Sequence, residues 1–214
     1  SKMNDLAAAG ALRGVILSPG DEGASTLART AADARRLGLR VYVDPQTYVY
    51  STRPKGLGRK HEEHGIQFDE LHWSQDVNSL MRQIHAVGKL HQSINPHGGW
   101  IAPTVMQNSL EDVWTSTAFQ LARTASSEWG KERTIATLAI DESALDTWRH
   151  VDEWLDVATT LEVRGFYILV GRSNATYPPV AWSAERLANL LRLIYVLTQL
   201  NDYEVCWGYS DSEG

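Results

Sequence analysis

The chain has little of what disulfide formation or membrane insertion requires. Cys206 is the single cysteine among its 214 residues, so an internal disulfide is excluded. The longest apolar stretch, 187–200, is interrupted by Asn189, Arg192 and Gln199 and falls short of the roughly 20 residues that span a bilayer. No N-terminal stretch combines a basic start, an apolar run and a small-residue cleavage site. We therefore expect a cytoplasmic protein that does not associate with membranes.

Basic residues are fewer than acidic ones: the chain has 20 Lys and Arg and 26 Asp and Glu, which gives a net charge of −6. This balance disfavours non-specific binding to nucleic acid, which a negative average field repels. Several catalytic signatures are missing as well, since the sequence contains no Gly-x-Ser-x-Gly, Ser-x-x-Lys or Cys-x-x-Cys. Covalent serine catalysis, dithiol redox chemistry and structural zinc are therefore disfavoured, and we expect neither a cofactor nor a metal ion.

What the sequence does contain is an alternation of short β-type segments with helical periodicity. Segments rich in β-branched and aromatic residues predict strands at 14–18, 40–44, 100–104, 134–141, 165–171 and 204–209. Helices are predicted between them, the first two at 24–37 and 75–92. Ser109, Ser143 and Ser183 are predicted to cap the last three helices at their N-termini. The fourth helix has the clearest apolar face, formed by Leu145, Trp148, Val151, Leu155, Ala158 and Leu161.

This order favours a single α/β domain over residues 4–214, with parallel strands and right-handed crossovers. We predict a (β/α)8 barrel of the TIM type, either incomplete or completed by a partner, and an open doubly wound sheet is the alternative. Residues 1–3 are interpreted as a cloning remnant and the start of the chain. No helix is predicted after the sixth strand. We therefore expect a fragment of a longer chain, or a protein partner or second copy that docks at this edge.

The predicted connections are asymmetric. Strands lead into helices through long polar loops, whereas helices lead into strands through about two to five residues, typical of α/β units. The longest loop, 45–74, contains a basic, glycine-interleaved segment in which Arg59 and Lys60 are candidates for binding phosphate or carboxylate. A solvated surface loop is the alternative interpretation. His61 and His64 are weaker candidates for metal binding, and we favour surface histidines there.

Carboxylates follow two of the predicted strands directly, and in parallel α/β domains the carboxyl ends of strands converge on the ligand. Asp44 and Asp141 are the leading catalytic pair, with Glu142 as a third candidate. Crowded carboxylates can divide acid and base roles, because repulsion raises the proton affinity of one of them. The alternative is structural: Asp44 can initiate a turn and Asp141 can cap a helix. The predicted substrate-binding residues are Gln107, Arg172, Tyr177, Tyr209, Asp211, Arg59 and Lys60.

Together these features predict an enzyme that acts on a polar or anionic small molecule, such as a sugar, nucleotide or nucleobase. The chemistry would be acid/base catalysis by carboxylates, of the hydrolase or glycosyl-transfer type. The alternative is a non-catalytic binding or assembly module that engages nucleic acid or a protein partner. Arg172 is predicted to orient an anionic group of the substrate, and Tyr177 to cover the ligand.

Overall fold

The computed structural model describes residues 5, 7–20, 22–48, 61, 63–66, 76–94, 98–171 and 182–208. Within these ranges strands alternate with helices, and neighbouring strands pair in parallel, which makes this an α/β protein. The chain divides into two compact units, Ser1–Pro103 and Thr104–Gly214. Each unit has its own strands, helices and buried residues.

The first unit begins with a strand, a helix and a second strand. Strand β1 spans Gly14–Leu17, helix α1 spans Ala24–Arg36 and strand β2 spans Arg40–Val43, and the two strands pair in parallel. Helix α2 (Val77–Ile94) and the short strand β3 (Trp100–Ile101) follow. Each helix buries one apolar face, as its periodicity predicts. The buried residues include Leu27, Ala31, Val41, Val43, Leu80, Ile84 and Val87.

The second unit repeats the same order. It contains α3 (Val113–Trp129), β4 (Thr134–Asp141), a 3₁₀ turn (Glu142–Leu145), α4 (Trp148–Ala158) and β5 (Gly165–Gly171). Helix α5 (Ala184–Tyr195), a π-helical turn (Val196–Leu200) and β6 (Glu204–Trp207) complete it. Strand β5 lies between β4 and β6 and pairs with both in parallel.

Side-chain alternation along β4 and β5 separates two faces of this sheet. One face contributes to the apolar core, where it meets residues of α3, α4 and α5; its strand residues are Ala136, Leu138, Ile140, Phe166, Ile168 and Val170. The other face carries Thr137 and Tyr167, which are register partners, and Asp141, which is opposite Gly171. Thr137 and Asp141 therefore lie on the face away from that core.

The predicted strands and the first two helices are confirmed, with small differences in their bounds. The third strand is shorter than predicted, because residues 102–106 leave the extended ladder after Ile101. Two of the three predicted caps are wrong. Asp112, rather than Ser109, caps α3 by accepting from the backbone N–H of Trp114, and Thr147, rather than Ser143, caps α4. Ser183 caps α5 as predicted.

The predicted asymmetry of the connections is confirmed in part. Helices lead into strands through the short segments 37–39, 130–133 and 159–164, whereas β3 reaches α3 through 102–112 and β5 reaches α5 through 172–183. The exceptions are β4, which runs straight into the 3₁₀ turn, and β1, which reaches α1 through 18–23, a segment as long as 159–164. No helix in the described part of the chain is long and apolar enough to cross a bilayer.

His91 is a buried ionisable side chain in the first unit. Its ring stacks on Trp100, with centroids 5.3 Å apart, and its Nε2 donates to the carbonyl oxygen of Ile101 at 2.9 Å. Burial lowers the pKa of His91 from 6.5 to about 4, because a charged ring would lose its hydration, and the hydrogen bond to Ile101 offsets only part of this effect.

The free energy of unfolding should therefore fall as the pH drops from 6.5 to about 4. In that window the unfolded chain binds a proton at His91 and the folded chain does not, which costs on the order of 3 kcal/mol in total. Chemical denaturation measures the free energy of unfolding at each pH in this range. It should fall less steeply with decreasing pH for His91→Gln than for the unaltered chain, because glutamine binds no proton. Equal slopes would contradict a neutral, buried His91.

Candidate active site

A groove of about 450 Å³ opens beside the carboxyl end of β4 in the second unit. Two successive strand-to-helix connections, 108–111 and 143–146, form its sides together with the first turns of α4. The groove is lined by Asn108, Ser109, Leu110, Glu111, Ser143, Ala144, Asp146, His150, Glu153 and Trp154. Parallel α/β domains commonly bind ligands at the carboxyl ends of their strands. The loops there can vary in sequence, while the strands hold the loops in place.

The groove combines apolar groups with a polar rim. Trp154 and Ala144 are nearly fully buried members of the apolar core, and the Trp154 ring packs on Phe119 with centroids 6.0 Å apart. The other lining groups are mostly carboxylates, hydroxyls, an amide and an imidazole. A concave site with apolar contact area and a few polar groups suits a small polar molecule.

Gln107 and Asp141 meet directly at the end of β4. The backbone N–H of Gln107 donates to Ala139 at 2.8 Å, and the N–H of Asp141 donates to the Gln107 carbonyl at 3.0 Å. The Gln107 side chain is 1% exposed, and its Nε2 donates to the Thr137 carbonyl and to Thr104 Oγ1, at 3.2 Å each. The side-chain amide thus supplies a donor to the backbone of β4. No donor among the described residues reaches Gln107 Oε1.

Asp141 is held by the turn that follows it. Its Oδ1 accepts from the backbone N–H of Ser143 at 2.9 Å and from the Ser143 hydroxyl at 2.6 Å. Asp141 therefore caps the 3₁₀ turn, whereas the structural alternative offered by the sequence was a cap on α4, which Thr147 provides. Because Ser143 lines the groove, this carboxylate is one hydrogen bond away from it. A catalytic role for Asp141 stays a prediction.

Glu142, the third predicted catalytic residue, is itself buried and has a half-buried ion-pair partner. Its Oε2 lies 3.0 Å from Arg186 Nη1, and the same guanidinium binds Asp146 Oδ1 through Nε at 2.6 Å. The hydrogen bond to Asp146 raises the pKa of Arg186, and the charges of Glu142, Asp146 and Asp141 add to this effect, whereas partial burial opposes it. Arg186 thereby ties the 3₁₀ turn, which forms one side of the groove, to α5.

Asp44 follows β2 in the first unit and is only 3% exposed. Its Oδ1 accepts from the backbone N–H of Gln46 at 2.8 Å, and its Oδ2 accepts from the Tyr48 hydroxyl at 3.0 Å. The first bond is the turn-forming role foreseen for an aspartate before proline. Since Asp44 and Asp141 belong to different units, the prediction that they share one site stays a prediction.

The polar cluster around Asp44 is tightly arranged. His61 is 1% exposed and its Nε2 donates to the Pro45 carbonyl at 3.0 Å, while Gln46 Oε1 accepts from the Gly20 N–H at 3.2 Å. Gln46 has a positive φ of 53°, a conformation that non-glycine residues adopt at a cost. A Cβ on Gly20 would come within 2.4 Å of Gln46 Oε1 and 2.9 Å of His61 Cε1, so any larger residue there would displace these two side chains.

The remaining predicted substrate-binding residues lie outside the described residues. They are Arg59, Lys60, Arg172, Tyr177, Tyr209 and Asp211. In the described ranges, no three His, Cys, Asp or Glu side chains are grouped so that they could hold a metal ion. His61 and His64, the weaker metal candidates, each have a backbone carbonyl as partner, at Pro45 and Glu22 respectively.

Several residues of the groove were missed by the sequence analysis, of which His150 is the most distinctive. It lies in the first turn of α4 on the exposed side of an amphipathic helix, where a polar residue is ordinarily solvated. His150 follows Ser143 by seven residues, and its ring reaches the Ser143 carbonyl. The sequence predicts this contact only if the helix is known to start at Trp148, because that start places His150 in the first turn.

In comparisons with known proteins, no family model matches the chain and no curated protein matches it significantly in sequence.

Breaking the ion pairs of Arg186 should destabilise the second unit in a defined order. Arg186→Met leaves the buried Glu142 carboxylate without its cation and should cost about 3 kcal/mol of unfolding free energy. Glu142→Gln keeps a hydrogen-bond acceptor and should cost about 1 kcal/mol. Urea denaturation measures both. Asp146→Asn is the matched control, because its partly exposed carboxylate should contribute less than about 1 kcal/mol. A larger loss for Asp146→Asn than for Arg186→Met would contradict this role of Arg186.

Proposed function

We propose that the protein is an enzyme that acts on a polar small molecule, a sugar, nucleotide or nucleobase, by acid/base chemistry of carboxylates at the carboxyl ends of its strands. The observation that supports this most is the groove beside β4, which two successive strand-to-helix connections form. Asp141 adjoins it through Ser143. A hydrolase or a glycosyl-transferring enzyme is the class that this chemistry favours.

The groove offers the functional groups that such a reaction requires. Glu111, Asp146 and Glu153 line it and can accept hydrogen bonds from hydroxyl or amino groups, while the nearly buried Trp154 adds a small apolar contact area. Their environments differ, because Asp146 is paired with Arg186 and Glu153 with Arg149. Carboxylates in unequal surroundings are the usual basis for separate acid and base roles.

We extend the proposal to the complete fold, the protein partner and the cellular location. The parallel strands and the long strand-to-helix connections support an incomplete or partner-completed (β/α)8 barrel, with Asp44 of β2 as a second catalytic carboxylate. Strand β6 pairs with β5, and Trp207 on β6 is 50% exposed, which supports docking of a protein partner or a second copy at that edge. We also propose that the protein functions in the cytoplasm.

Asp141→Asn and Asp44→Asn should each lower turnover about 100-fold or more, which is the usual contribution of a general acid or base. Both substitutions keep an oxygen that can accept from the N–H groups of Ser143 and Gln46, so thermal unfolding should change little. The assay is a panel of nitrophenyl glycosides and nucleosides, with chromatographic detection of released sugar, nitrophenol or base.

Ser143→Ala and Tyr48→Phe are the matched controls, since each removes one hydrogen-bond donor to an aspartate and leaves its carboxylate in place. They should retain most of the turnover. If both asparagine variants turn over substrate as fast as the unaltered chain, the two aspartates are structural and the proposed chemistry is wrong. The same conclusion follows if no member of the panel is converted.

A further inference from the structure

His150 is the imidazole of the groove and is held in a defined orientation. Thr147 caps α4 by accepting from the backbone N–H of His150 at 3.3 Å, which fixes the residue in the first turn of the helix. Its side-chain Nδ1 lies 3.3 Å from the carbonyl oxygen of Ser143. Ser143 in turn is bound to Asp141 by two hydrogen bonds, so the imidazole rests on the same turn as the predicted catalytic carboxylate.

This contact determines which ring nitrogen carries the proton. A carbonyl oxygen can only accept, so Nδ1 must be the donor, and the neutral ring then has an unprotonated Nε2. Free histidine in water favours the opposite tautomer. No described residue has a hydrogen bond to Nε2, and His150 lines the groove. Nε2 is therefore the ring atom left for a ligand.

The charges around the groove restrict what that ligand is. Glu111 has no ion pair among the described residues, Arg186 is shared between Glu142 and Asp146, and Arg149 is the cation beside Glu153. Carboxylates thus outnumber cations at this groove. A phosphate or carboxylate would be repelled, whereas hydroxyl and ammonium groups would find acceptors.

We propose that His150 is a catalytic residue of the groove and that the ligand group it meets is an uncharged or cationic one that donates hydrogen bonds. This inference rests on the proposed function and deepens it. Nε2 accepts a proton from a water molecule as the water oxygen forms a bond to the ligand carbon that carries the leaving group. The bond between that carbon and the leaving group breaks, the leaving group takes the bonding electron pair, and the imidazolium gives it the proton. Nδ1 keeps its own proton throughout and donates to the Ser143 carbonyl.

The tautomer can be tested without a substrate. Long-range ¹H–¹⁵N correlation spectra of histidine-labelled protein at about pH 9, where an ordinary imidazole is neutral, should show His150 as the Nδ1–H form. His150→Gln assigns the signal by its disappearance. His85→Gln is the matched control, because His85 is an exposed histidine on α2 of the first unit, and it should leave the His150 signal unchanged. A predominantly Nε2–H ring at His150 would overturn the inference.

The ligand class can be tested with three sugars that share a scaffold and differ in charge. Glucosamine should shift the His150 and Trp154 ring signals most, glucose less and glucuronate least. The difference between the responses to glucosamine and glucuronate should be smaller in Glu111→Gln, because this substitution removes a negative charge from the groove. A strongest response to glucuronate, or no response to any of the three, would show that the groove does not select such groups.

Turnover separates this inference from the proposed function. His150→Gln should lower kcat about 100-fold or more on a substrate found in the panel, with KM little changed, and His85→Gln should not. If His150→Gln is fully active while Asp141→Asn is inactive, the role of His150 is wrong and the carboxylate chemistry stands. If His150→Gln is inactive and both aspartate variants are active, the assignment of the carboxylates fails instead.

Discussion

The parallel register of β4 with β5 is the constraint on which the second unit depends. It pairs Leu138 with Ile168 and Asp141 with Gly171. Since side chains alternate along a strand, this register directs one set of apolar residues into the core with α3, α4 and α5, and leaves Thr137 and Asp141 on the other face. A slip of one residue would exchange the two sets. The polar end of β4 is therefore a direct product of how its apolar part is buried.

The end of β4 also depends on a side chain that donates a hydrogen bond to the strand backbone. The Thr137 carbonyl in β4 accepts from the side-chain amide of Gln107. A buried carbonyl without a partner would cost about 1–3 kcal/mol, so this bond has a clear structural value. It also fixes the orientation of the amide, whose Oε1 has no donor among the described residues. Gln107 and Asp141 thus both have a structural role at the end of β4.

The sequence was a good guide to strands and a poor one to local capping. Buried strands such as 134–141 and 165–171 are nearly continuous apolar runs between turn formers, so their positions follow from composition alone. The apolar spacing from Leu145 to Leu161 suggested one helix, but Leu145 lies in a 3₁₀ turn and α4 starts only at Trp148. The positions of Asp141 and Gln107 beside β4 follow from the sequence because strand ends are predictable. The position of His150 in the groove does not, because it depends on where the turn after β4 ends and α4 begins.

The groove is built from one continuous stretch of chain, from Asn108 in the first of its two connections to Trp154 in α4. Its two sides, 108–111 and 143–146, are separated in the chain by α3 and β4, so the packing of this helix on this strand brings them together. An opening confined to β6 would leave both sides in place. An opening of α5 would instead release the ion pairs of Arg186 with Glu142 and Asp146 and loosen one side of the groove. The shape of the groove is therefore coupled to the stability of α5 and not to that of the far strand.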